Sequence, residues 1–173
     1  MRRTTRIITL AATLSLATAA STRADYALKD GDTVAFLGDS ITAALTYGKI
    51  IENYTLLRFP ERKIRFFNAG WGGDTAAGGL KRLDRDVLDR GATVVIVAYG
   101  INDIGWGMKA DDAHRKLFLD SIRGIVDRCE KRGARVFICS AAITADDPNR
   151  SENGYLQKMC DEGMAIARER GGA

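Results

Sequence analysis

Thr93-Val94-Val95-Ile96-Val97-Ala98 is the segment that most narrows the fold. Six residues without a charge, five of them β-branched in succession, do not suit a strand with one face in water. They read as a central parallel strand covered on both sides. Parallel strands need long crossovers, and the rest of the chain supplies them. Thr33 to Leu37, Ile64 to Phe67 and Val136 to Ser140 are three further short apolar runs. Apolar residues at helical spacing lie between and after them. They are Leu45, Ile50, Ile51, Tyr54 and Leu57 before Pro60, then Ala76, Leu80, Leu83 and Val87 before Gly91. Leu117, Ile122, Ile125, Val126 and Cys129 precede Gly133, and Leu156, Met159, Cys160, Gly163 and Met164 mark a fourth helix. This βαβαβαβα order predicts a three-layer α/β/α fold with a flavodoxin-like parallel sheet in strand order 2-1-3-4, one domain over residues 25–173.

The net charge of +4 suggests a polyanion partner until it is located. Residues 1–24 hold Arg2, Arg3, Arg6 and Arg23 and no acid, so the remaining 22 basic residues balance 22 acidic ones. No nucleic-acid partner is expected. The same segment reads as a signal peptide: a basic start, an apolar run from Ile7 to Ala20, and small residues at Ala20 and Ala24 for cleavage. The apolar run is shorter than a spanning helix needs. The expectation is an exported protein, periplasmic or secreted, with no stable membrane insertion once the segment is removed. Cys129, Cys139 and Cys160 are widely spaced and read as small buried hydrophobes.

In an open parallel sheet, ligands bind beyond the carboxyl ends of the strands, at the point where strand order reverses. Three polar, glycine-bearing loops leave the first three strands: Gly38-Asp39-Ser40-Ile41, Asn68-Ala69-Gly70-Trp71-Gly72-Gly73-Asp74-Thr75 and Gly100-Ile101-Asn102-Asp103. Singly, each has a plain reading as a turn or a helix cap. Together they converge on one crevice. None carries a phosphate-cradling pattern, and no His, Cys and carboxylate cluster has metal-ligand spacing. No cofactor and no metal are therefore expected.

In order and spacing these three motifs resemble the first three sequence blocks of the SGNH (GDSL-type) hydrolases, a likeness that runs from about residue 32 to the C-terminus. The resemblance implies that Ser40 is the nucleophile. It also implies an oxyanion hole made of the Ser40 N–H, the Gly73 N–H and the Asn102 side-chain amide. Those roles are chemically sound, because acyl transfer places negative charge on a former carbonyl oxygen and preorganised neutral donors stabilise it. Asp103 reads as a loop brace.

The resemblance also implies a general base from an Asp-x-x-His motif after a fifth strand, near the C-terminus. The single histidine, His114, follows Asp111 at that spacing. It stands instead at the start of the third helix among Lys109, Arg115 and Lys116, where it reads as a solvated residue. The base and the fifth strand are accordingly expected beyond residue 173, which leaves Arg135–Cys139 as a sheet edge. The function implied is a serine esterase acting on acetyl or short acyl esters of carbohydrates or lipids. The alternative is a non-catalytic glycan- or ester-binding module that lacks the base. Trp71, Trp106 and Tyr99 either pack on a sugar or acyl chain or shield the core.

Overall fold

The structure, a computed structural model, describes residues 26–142 and 151–170. The expected signal peptide, with its cleavage sites, lies outside the described residues. Strands β1 (Thr33–Gly38), β2 (Arg65–Gly70), β3 (Val94–Ala98) and β4 (Arg135–Ile138) form one sheet in the order β2-β1-β3-β4. All three pairings are parallel. Helices α1 (Ser40–Ala43), α2 (Thr46–Arg58), α3 (Ala76–Leu83), α4 (Asp112–Lys131) and α5 (Ser151–Glu169) complete the expected α/β architecture. Among the described residues, none of these helices is long and apolar enough to cross a membrane.

Strand alternation divides the core into two layers. Ala35, Leu37, Val95 and Val97 face α3, α4 and α5, with Leu83, Phe118, Ile122, Ile125 and Met159 wholly or nearly wholly buried among them. Val34, Phe36, Val94 and Ile96 face the other way, toward Tyr47 and Ile51 of α2 and the Tyr26 and Leu28 segment. The central run at Val94–Val97 is buried on both faces, as its composition requires.

The helix faces depart from the sequence reading. The first helix is broken in two, because Leu45 adopts a left-handed φ of 68° between α1 and α2. That break resets the helical phase: Ile50, Tyr54 and Leu57, expected on the buried face, are 64%, 51% and 81% exposed, while Gly48 and Thr55 are buried instead. On α4, Leu117 is likewise exposed and its neighbour Phe118 takes the core position. Ile122, Ile125, Val126 and Cys129 are buried as expected.

Helix α3 does not end cleanly. It passes into a π-helical turn over Asp84–Leu88, where the Asp89 N–H donates to Asp84 O at 2.8 Å. This keeps Val87 and Leu88 buried together with Leu83. Gly91, at φ 79°, then turns the chain toward β3. Cys129 and Cys160 are buried and Cys139 is half-buried, all as free thiols. Burial pushes the Cys129 thiol up to about 12, which makes it inert at neutral pH.

Candidate active site

The parallel register fixes where the three loops leave the sheet. Gly38 pairs with Gly70 on one side and Ala98 on the other, so β1, β2 and β3 end at one level. The glycines are required by closeness. A Cβ on Gly38 would collide with the Thr42 hydroxyl and the Ala98 carbonyl, and one on Gly70 would strike the backbone of α1 at Thr42 and Ala43. The short helix that carries Ser40 is thus pressed directly onto the ends of its own strand and the next.

Asp39 caps α1, its Oδ1 accepting the Ile41 N–H at 2.9 Å. Ser40 is the first helical residue and is exposed. Among the described residues, no side chain or backbone group is hydrogen-bonded to its hydroxyl. The Ser40 and Gly73 N–H groups have no partner among the described residues either. Gly73 sits at φ 74° with open space where a side chain would be.

The structure brings Asn102 to this place. Its Nδ2 donates to Asp74 O at 3.0 Å and to Asp39 Oδ2 at 3.3 Å, which ties the three loops to one another. Its Oδ1 accepts the Trp106 indole N–H at 3.1 Å. Trp106 lies between Gly105 and Gly107 in a run of three residues with positive φ, at 54°, 59° and 95°. Two of the three are glycines, for which this is free; for tryptophan it costs ~1–2 kcal/mol. Ile101 and Ile104, both buried, anchor the loop from below, and the Trp106 N–H donates to Ile101 O at 2.9 Å.

Arg82 of α3 is the organiser that sequence reasoning missed. Its Nη1 donates to Ala69 O at the end of β2, at 2.8 Å. Nη2 donates to Gly38 O at the end of β1 at 3.2 Å and to the Tyr99 hydroxyl after β3 at 2.9 Å. Nε holds Asp74 Oδ2 at 2.8 Å, and Asp86 lies 3.3 Å from Nη1. One guanidinium therefore joins the ends of three strands to the loop that carries Gly73. The Lys81-Arg82 pair carries no sign of this, since the partners are as many as 44 residues away. Tyr99, for which the sequence left both a substrate-packing and a core-shielding reading, is only 2% exposed and donates to Asp74 Oδ2 at 2.9 Å. Trp71 and Trp106 are 61% and 59% exposed, so neither shields the core.

Asp103 does brace the loops: its Oδ1 accepts the Ala76 N–H at 3.0 Å and so fixes the start of α3. Its other oxygen, Oδ2, is buried without a hydrogen bond among the described residues. Burial pushes this carboxyl up to about 6, with the charge of Asp74 adding to the effect against the Ala76 N–H. Between about pH 4 and pH 6 the folded state then holds a proton that the unfolded chain has released. Stability contributed by that proton is present below pH 4 and is lost as pH rises toward 6. Asp103→Asn, which imitates the protonated form, is expected to be more stable than wild type at pH 7 by on the order of 3 kcal/mol. The two should converge below pH 4. Thermal unfolding of both across pH 4–7 checks this; a constant difference would exclude it.

His114 is at the start of α4, where Asp111 accepts the His114 N–H at 2.9 Å as the helix cap. Its Nδ1 is also 2.8 Å from Asp111 Oδ1. No hydrogen bond links His114 to Ser40, Asn102 or Asp39 among the described residues. A cavity of about 390 Å³ opens between the ends of β1, β3 and β4. It is lined by Asp39 and Ile41, the neighbours of Ser40, together with Tyr47, Ile101 and Cys139; Gly73 and Asn102 do not line it. Among the described residues, no group of His, Cys, Asp and Glu side chains could hold a metal ion.

A parallel sheet in the order β2-β1-β3-β4, with three polar loops leaving the carboxyl ends of its first three strands, defines a class by its fold: the GDSL-type hydrolases. The chain belongs to the GDSL-like lipase/acylhydrolase family, whose model matches residues 36–173. It is thereby placed among ester-hydrolysing enzymes. Solved structures of similar fold include Axe2, an acetylxylan esterase from Geobacillus stearothermophilus. That likeness has a TM-score of 0.73 and 19% identity, over 83% of this chain and 75% of that one. LAE5, an α/β hydrolase from the metagenome of Lake Arreo in Spain, has a TM-score of 0.71 at 19% identity, over 84% of this chain and 76% of its own. The gut microbial diltiazem-metabolizing enzyme BT4096 is 27% identical with a TM-score of 0.70, over 84% of this chain but only 36% of its own. No curated protein sequence matches the chain.

Proposed function

We propose that this protein is an exported serine esterase that removes acetyl or short acyl groups from a carbohydrate or lipid, through an acyl-enzyme on Ser40. The observation that supports this most is the hydrogen-bonded chain Asp39–Asn102–Asp74, which gathers the Ser40, Gly73 and Asn102 loops at one strand-end level. In the reaction, the Ser40 oxygen attacks the ester carbonyl carbon, the carbonyl π electrons move to oxygen, and the base takes the serine proton. The oxyanion is met by the Ser40 and Gly73 N–H groups and by Asn102 Nδ2. The 3.3 Å contact from Nδ2 to Asp39 is the longer of its two and is the one the oxyanion replaces. Collapse expels the alcohol, which recovers the proton, and water then repeats the sequence to free the acid. The base comes from outside the described residues, since His114 is held by Asp111 at the head of α4. Open space at Gly73 leaves room for an acyl group beside its N–H, and acetylxylan esterases of the same fold support an acetyl ester of a carbohydrate.

A fluorophosphonate probe tests the reading directly. It should form a covalent adduct whose peptide maps to Ser40. An adduct on another residue, or none from a folded protein carrying its base, would remove Ser40 from the nucleophile role.

A further inference from the structure

We infer that Trp106 is a positioning residue that sets the orientation of the Asn102 carboxamide, and that the strained Gly105-Trp106-Gly107 turn exists to hold its indole there. The inference rests on the oxyanion role proposed for Asn102 and adds the group through which that role is kept. An amide can be turned end for end at almost no cost in shape, and only its hydrogen bonds decide which end faces the site. On the Oδ1 side the Trp106 indole N–H, at 3.1 Å, is the donor present among the described residues. An indole nitrogen can only donate, so it rejects the flipped amide, which would set N–H against N–H.

The other two contacts, to Asp74 O and Asp39 Oδ2, favour the same orientation. The Asp39 contact is given up when an oxyanion arrives. The Asp74 carbonyl on Nδ2 and Trp106 on Oδ1 then hold the amide, and Trp106 is the one that keeps Oδ1 itself engaged away from the site as charge develops. A carbonyl oxygen aimed there would repel the charge it is meant to meet.

The backbone supplies an independent reason. Between two glycines already at positive φ, a third glycine would relieve position 106, yet the residue is a tryptophan at φ 59° and ψ 32°. The residue is 59% exposed, so core packing does not account for it. Backbone strain on a bulky, exposed residue that touches a site residue marks a functional constraint.

The chain has two tryptophans, which makes the test simple to read in the full-length protein. The indole N–H of Trp71 has no hydrogen-bond partner among the described residues, and that of Trp106 has Asn102. By NMR, the Trp106 indole proton should exchange with solvent more slowly than that of Trp71, and Asn102→Ala should remove the difference. Equal exchange in the wild type would overturn the inference, whatever the enzyme's activity. In ester hydrolysis, Trp106→Phe and Trp106→Gly should each lower kcat roughly 10- to 100-fold with KM within about twofold. Trp106→Gly should also melt no lower than wild type, since its backbone is relieved. In an Asn102→Ala background neither change should lower kcat further, and a full effect there would mean Trp106 acts without Asn102. A Ser40→Ala variant assayed alongside separates the two claims: undiminished turnover in it refutes the serine esterase reading, while the indole exchange still decides the inference.

Discussion

Ser40→Ala should cost roughly four to six orders of magnitude in kcat for p-nitrophenyl acetate, assayed with the residues that supply the base present. The expectation follows from what alanine leaves in place. Asp39 still caps α1 and the Gly73 and Asn102 donors are unmoved, so the ester still binds; the variant therefore loses kcat far more than KM. On the proposed mechanism water must then attack without a covalent intermediate, with only the proposed oxyanion donors to help it. Thermal stability should hardly change, because Ser40 is exposed and its hydroxyl has no partner among the described residues. His114→Ala makes a useful control, expected within a few-fold of wild type. A loss confined to KM in Ser40→Ala, or a collapse of kcat in His114→Ala with the fold intact, would contradict the mechanism.

Arg82→Met should destabilise the fold by about 3–5 kcal/mol, the usual cost of removing one partner from a buried ionic network. With its side chain only 10% exposed, the guanidinium leaves much behind. The carboxylate of Asp74 loses its counter-charge, Asp86 keeps only the exposed Arg85, and the carbonyls of Gly38 and Ala69 lose a donor. For a domain whose total stability is about 5–15 kcal/mol this is a large share. Arg82→Lys should restore only part of it, because one ammonium cannot span the carbonyls of two strands and a carboxylate at once. Urea unfolding of the three proteins gives the answer, and a loss below about 1 kcal/mol in Arg82→Met would show that the network does not hold the strand ends.

The strands and their order were legible because a parallel sheet demands continuous apolar runs, and Val94–Val97 has few other readings. The three loops were legible as a set for the same reason: their strands had already been placed. Helix faces were less so. In α2, apolar residues occur all round, and the left-handed Leu45 shifts which of them meet the sheet, as the exposure of Ile50 and Leu57 shows. Leu117 and Phe118 are adjacent and both apolar, so spacing alone did not choose between them. Arg82 was invisible because its role depends on carbonyls of β1 and β2, and main-chain oxygens have no letter in the sequence. Trp106 was read as a surface for substrate or core; its use as a single N–H donor depends on φ angles that Gly-Trp-Gly permits without announcing.

The π turn at Asp84–Leu88 bears on how related chains are to be aligned. A π turn accommodates one residue more than an α-helical turn over the same rise. A relative shorter by one residue in this stretch would run on as plain α-helix. If an alignment places that gap before Arg82 rather than after it, the arginine is set one position off, a rotation of about 100° around the helix. It would then look like a variable surface charge. Gaps placed within residues 84–88 keep both the arginine and the buried Val87–Leu88 pair in register.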